Sequence, residues 1–199
     1  MSSDQDAIAQ VRPTSYDIDP IHIQRWSPRA FLEQEVPEDK LLSVLEAARF
    51  APSAFNFQPW RFIVARTPED RETFRSFLVE FNQVWCEKVP VLILIVSQST
   101  SEKGANLTHA FDAGAAWGAL AYEAVRQGLV THAMTGFDFD KARQLLNVPE
   151  EFTIQAAVAL GYQGDKSSLP QAMADREGPS PRRPLDQSVF EGSFGAALR

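Results

Sequence analysis

The leading half of this chain has no glycine: all ten glycines lie at or after Gly104. That absence excludes a glycine-rich phosphate loop of the Rossmann or P-loop type from the first hundred or so residues. Further on, Gly161-Tyr-Gln-Gly164 lacks the glycine spacing and the following helix of a dinucleotide fingerprint. A nucleotide-like phosphate would therefore have to be held by side chains. No Gly-x-Ser-x-Gly elbow is present, which argues against an α/β-hydrolase. Cysteine is nearly absent. The single Cys86 excludes a disulfide framework and a cysteine zinc site, and it suits a reducing cytoplasm. Its expected role is a half-buried thiol ahead of a strand that starts near Val89. His22, His109 and His132 are widely spaced, with no cysteine or carboxylate at ligand spacing, and read as ordinary surface or core histidines rather than metal ligands. Basic charge is also short: 19 Lys and Arg against 26 Asp and Glu give −7, the wrong sign for a nucleic-acid surface. The longest nearly pure apolar run, Val89 to Val96, is too short to span a bilayer, and the acidic start Met1-Ser-Ser-Asp has no apolar signal core. The expectation is a soluble, cytoplasmic protein with no membrane and no nucleic-acid partner.

What is present fits a folded domain. Hydrophobic residues make up 44% and charged residues 23% of 199, enough to build a core without staples. Residues 1–20 read as a polar N-terminal arm, 21–165 as the folded domain and 166–199, with four of the thirteen prolines, as an extended C-terminal arm. Leu41, Leu42, Leu45 and Ala48 form a helical stripe within 38–50. Arg61 to Ala65 reads as a strand. Thr67-Pro-Glu-Asp70 is a helix start with a threonine cap and proline at the first position, and the helix is expected to run to about Phe81. Pro90 to Val96 is apolar on both faces, as a central strand covered by helices would be. Ala105 to Gln127 reads as an alanine-rich helix ended by Gly128, with Gly114 and Gly118 on one face. Those glycines permit another helix to approach closely, or simply belong to a small-residue core helix. Asp138 caps a helix to Leu146, and Ile154 to Gly161 is another apolar strand. Phe190 and Phe194 in the tail are suited to docking, a partner subunit included. The architecture is mixed α/β (α+β), a sheet between helices.

Three segments carry candidate chemistry. In Arg25-Trp-Ser-Pro-Arg29, two guanidinium groups and a hydroxyl make an anion cradle or a solvated surface patch. In Pro52-Ser53-Ala54-Phe-Asn56-Phe-Gln58-Pro-Trp60, a helix stops and polar side chains follow in a proline-bracketed loop. Such a loop can read the polar edge of a heteroaromatic ligand, or it is a turn packed by its aromatic residues. In Gly128 to Asp138, a strand leads through Thr135-Gly136 into a capped helix, placing free backbone amides where an acceptor could dock.

Together these segments resemble the nitroreductase family of FMN-dependent NAD(P)H oxidoreductases. The likeness rests on Arg-x-Ser-x-Arg, on Ala-Pro-Ser-Ala-x-Asn-x-Gln-Pro-Trp-Arg-Phe, on the Thr-Gly-Phe-Asp turn, on Ala-Leu-Gly-Tyr and on Arg182-Arg-Pro-Leu185, in family order from about Ile23 to Phe190. The resemblance implies a nitroreductase-like central sheet flanked by helices and an intertwined homodimer with FMN between protomers. It assigns Arg25, Trp26, Ser27 and Arg29 to one side of the cofactor, with Arg25 and Ser27 at the phosphate and ribityl end and Arg29 at the N1 and C2-carbonyl edge. Pro52, Ser53, Ala54 and Asn56 would come from the other protomer. Thr135 and Gly136 would face the N5 and O4 edge, and Arg182, or the adjacent Arg183, the phosphate. Some members carry proline and glutamate where this chain has Ala133 and Thr135. The implied activity is hydride transfer from NAD(P)H to a small-molecule acceptor such as a nitroaromatic or quinone; the alternative is a flavin-binding protein of the same fold with another reaction, such as reductive dehalogenation, or with little turnover. No separate catalytic residue is expected, because the cofactor supplies the redox chemistry.

Overall fold

A computed structural model describes residues 8–102 and 104–198. The main elements are α1 (Glu38–Arg49), β1 (Trp60–Ala65), α2 (Pro68–Phe77), α3 (Glu80–Cys86), β2 (Val91–Gln98), α4 (His109–Arg126), β3 (Val130–Met134), α5 (Phe139–Leu145) and β4 (Phe152–Gly161). The sheet runs β1-β2-β4-β3 and every pairing is antiparallel. Ile63 lies opposite Leu94, Leu94 opposite Ala157 and Ala133 opposite Val158.

Strand alternation explains why β2 is apolar throughout. Leu92, Leu94 and Val96 face one core with Phe74, Phe77, Trp85 and Ala142 from α2, α3 and α5. Val91, Ile93 and Ile95 face the other, against Leu41, Val44 and Ala48 of α1 and Ala113, Ala116, Leu120 and Ala124 of α4. Both faces of the strand are thus buried, in an antiparallel rather than a parallel sheet. The alanine row of α4 packs inward. A Cβ placed on Gly114 or Gly118 would meet nothing within 4 Å among the described residues beyond the adjacent backbone of its own helix, so the glycine row has open space.

The Thr67 cap forms as expected, Asp70 N donating to Thr67 Oγ1 at 3.1 Å with Pro68 in the first turn. The helix does not reach Phe81. It ends at Phe77 because Leu78 and Val79 turn extended to join the segment before α5: Val79 N donates to Gly136 O at 3.0 Å and Asp138 N to Phe77 O at 2.8 Å. A second helix, α3, then begins at Glu80. The crossing is tight at Gly136, where a Cβ would stand 2.5 Å from Asn82 Nδ2 and would displace that side chain. The long helix starts at His109, not Ala105, because Gly104–Ala105 pairs with Thr100–Ser101 in a small hairpin and Asn106 Oδ1 accepts from Thr108 N. Cys86 closes α3 and is buried, which pushes its thiol far above the ordinary range; it is neither half-exposed nor reactive.

Candidate functional site: a cationic cavity between the two ends of the chain

The segment 25–32 runs extended beside the end of β4. Leu32 N donates to Tyr162 O and Gly164 N to Ala30 O, at 2.9 and 2.8 Å. Glycine at 164 permits this approach, because a Cβ would lie 2.8 Å from the Phe31 carbonyl carbon. Backbone cannot yield as a side-chain tip can. Gly164→Ala is therefore expected to cost roughly 1–3 kcal/mol, as overpacking does, measured by chemical denaturation. An unchanged midpoint would show that the segment is free to shift.

The extended segment forms one wall of a cavity of about 390 Å³ lined by Arg25, Trp26, Ser27 and Arg29. Phe81 and His132 close one side, and the tail supplies Met173, Arg176, Ser180 and Arg182. Arg12 completes it from the N-terminal arm. Arg12 is buried and donates from Nε to Ser180 O (2.8 Å) and from Nη1 to Ile23 O (2.8 Å) and Arg25 O (2.7 Å). It ties both ends of the chain to the cavity wall. Arg25 Nη1 donates to Ser27 Oγ at 3.3 Å. Arg29 lies with its guanidinium 5.8 Å from the Phe81 ring centroid, and its Nε is buried with no hydrogen-bond partner among the described residues.

Five arginines line this space and, among the described residues, no carboxylate does. Burial and then the neighbouring Arg182 charge push the guanidinium groups of Arg12 and Arg25 below their ordinary pKa. Arginines that crowd one another at the cost of desolvation are arranged for an anion. His132 donates from Nδ1 to Pro28 O at 3.0 Å and packs on Trp85 with ring centroids 4.7 Å apart. Burial holds its imidazole below the ordinary range, against the Pro28 hydrogen bond. His132 is thus a partly buried piece of the wall.

The structure brings together Arg25, Trp26, Ser27, Arg29 and Arg182 of the residues singled out from the sequence. Arg183 lies outside, in an adjoining cleft with Tyr16, Ile18 and Leu185. Pro52, Ser53, Ala54 and Asn56 sit on the loop after α1, away from the cavity lining. That loop is internally braced. Gln58 N donates to Ser53 Oγ, Ala54 N to the Asp112 carboxylate, and Gln58 Nε2 to Asn56 Oδ1. Phe55, Asn56 and Gln58 all hold positive φ, at 49°, 57° and 47°, a left-handed conformation that costs L-residues energy and persists because the loop is over-determined. Thr135 is exposed and Gly136 is engaged at the α3 crossing, both outside the lining. Sequence reasoning missed Arg12, Phe81, His132 and Arg176. His22 and His109 fit the ordinary reading, His22 edge-on to Tyr122 and His109 Nδ1 2.8 Å from Ser97 Oγ. Among the described residues no helix is long and apolar enough to cross a membrane.

A helix-covered antiparallel sheet is flanked by a cavity that gathers arginines from both arms of the chain. The family model described as the nitroreductase family matches residues 23–84 and 70–162. The chain belongs to the nitroreductase family and has its fold. A crystal structure described as an oxidoreductase containing FMN superposes with a TM-score of 0.89 at 43% identity, over 93% of this chain and 96% of that one. An NADH dehydrogenase of Thermus thermophilus is 28% identical over 201 residues, 84% of this chain and 92% of its own. Iodotyrosine deiodinase 1 of Sus scrofa is 25% identical over 194 residues, 82% of this chain and 64% of its own.

Proposed function

We propose that this chain is an FMN-dependent oxidoreductase that takes hydride from NAD(P)H and reduces nitroaromatic, quinone or related acceptors in ping-pong turnover. The observation that carries the reading is the cavity: five arginines around a space that, among the described residues, no carboxylate lines, and a buried Arg29 Nε with no hydrogen-bond partner among those residues. The donor set fits a phosphate at one end and a polarisable acceptor edge at the other. Arg25, Ser27 and Arg182 hold the phosphate and ribityl end, with Arg183 the adjacent alternative, and Trp26 packs beside them. Arg29 serves the N1 and C2-carbonyl edge. When bound, FMN supplies the hydride acceptance and donation, negative charge gathering near N1 on reduction. Arg29 is a fixed positive charge for that edge, and the apolar flank of Phe81 and Met173 limits water.

The same reading makes the molecule a cytoplasmic homodimer in which Pro52, Ser53, Ala54 and Asn56 reach the cofactor held by the second protomer, with Thr135 and Gly136 at the N5 and O4 edge. The braced 53–58 loop is stiff enough for that task. Phe55, Leu107, Phe111 and Phe194 are all more than four-fifths exposed in the single chain, and the Gly114/Gly118 row on α4 has open space beside it. An obligate interface covering them should bury more than ~2,000 Å² in total. Sedimentation at micromolar concentration is expected to give a dimer; a monomer that still holds FMN would refute the arrangement.

The visible spectrum of the purified protein tests the cofactor, and steady-state oxidation of NADPH with a nitroaromatic or quinone acceptor tests the activity. Absence of flavin bands before and after incubation with FMN overturns both. Likeness to the deiodinase favours one second reading, reductive dehalogenation on the same fold. Release of halide from a halogenated phenol with no turnover of nitroaromatics would select it.

A further inference from the structure

Glu177 stands directly behind the cationic wall, between the lining residues Arg176 and Gly178. Its Oε1 accepts from Arg29 N at 2.6 Å and from Ala30 N at 2.9 Å, across 148 and 147 residues of chain. Its Oε2 lies 3.9 Å from Arg29 Nη1 and has no hydrogen-bond partner among the described residues, and the side chain is only 4% exposed. A neutral glutamine would supply the same acceptor to the two amides without the cost of burying a charge. A carboxylate at this place therefore does more than close a backbone gap. It is the negative charge set against Arg29, inside a cluster where the remaining charges are positive.

We propose that Glu177 is a positioning residue for the redox end of the cofactor: it pins the Arg29–Ala30 backbone so that the guanidinium stays in the cavity, and its charge limits how strongly Arg29 favours negative charge there. The proposal rests on the assignment of FMN to the cavity. The pin follows from the two amide bonds and the tuning from the ion pair, so each part has its own readout.

The test compares Glu177→Gln and Glu177→Ala with the unaltered full-length protein. Three quantities are measured: amide hydrogen exchange at Arg29 and Ala30, FMN affinity by fluorescence quenching, and the flavin midpoint potential by redox titration. Glu177→Gln keeps the acceptor and removes the charge. It is expected to retain slow exchange at both amides, to bind FMN no more weakly, and to shift the midpoint potential upward. Glu177→Ala removes both functions. It is expected to speed exchange at the two amides by roughly tenfold or more and to weaken FMN by a similar factor, as loss of charge-assisted bonds does. A glutamate with only a structural role would lower the melting temperature in both variants and leave the potential of Glu177→Gln unmoved. That unmoved potential overturns the proposal, as does wild-type exchange at Arg29 and Ala30 in Glu177→Ala. If the alanine variant does not fold, the glutamine variant alone decides through its potential. If the unaltered protein takes up no FMN, the cofactor assignment fails by itself, while the exchange measurements still judge the pin.

Discussion

Arg25→Ala is expected to weaken FMN binding by roughly 10- to 100-fold and to leave the flavin potential nearly unchanged. The half-buried guanidinium stands beside Ser27 and Arg182 at the end assigned to phosphate. Charge-assisted hydrogen bonds there are worth roughly 1.5–3 kcal/mol, and each 1.4 kcal/mol is about tenfold in affinity. Arg29→Ala should separate from it. In the proposed site its charge would meet the edge where negative charge gathers on reduction, so its loss should lower the midpoint potential and slow reduction by NAD(P)H, while costing the oxidised cofactor less affinity. Fluorescence titration and redox titration of both variants distinguish the roles. Equal effects on both quantities would sink the division of labour, and no effect from either would place the cofactor elsewhere.

Arg12→Ala should have the largest effect on folding. Three main-chain carbonyls, on Ile23, Arg25 and Ser180, accept from this one buried guanidinium. Removing it strips the donors from all three at once, for roughly 3–5 kcal/mol in total. In a protein of this size that corresponds to a fall in melting temperature of roughly 6–20 °C. FMN added in excess should recover only part of it, because ligand binding stabilises the folded state without restoring the lost donors. A shift of a degree or less would mean that water replaces Arg12 at those carbonyls.

The sequence announced the features whose causes are local. Thr67, Pro68 and Asp70 lie within four positions, and the cap they predict is the cap that forms. The two-faced apolar pattern of Val91 to Val96 likewise reports a strand covered on both sides. Arg25, Ser27 and Arg29 stand close in the chain, and a cavity gathers them. What escaped depends on distant partners. Nothing near Leu78 says that the helix must stop there; the reason is the backbone around Gly136. Arg12 meets Ser180 across 168 residues, and Glu177 meets Arg29 across 148. Isolated in polar, proline-rich arms, those two residues carry no periodicity and no motif. His132 looked ordinary for a similar reason, since its place in the wall follows from the Pro28 carbonyl and Trp85 rather than from any neighbour in sequence.

The Arg12–Ser180 contact also decides how the molecule would bear a mechanical load. Tension applied to the two chain ends does not travel first through the sheet. It meets the bond from Arg12 Nε to the Ser180 carbonyl, with the Ile23 and Arg25 carbonyls held by the same guanidinium. Of these bonds only the one to Ser180 joins the two arms, whereas β2 and β4 are paired along eight positions. Under a slowly rising pull, the ends would part before the core yielded. The wall that Arg12 braces would open while the sheet was still intact.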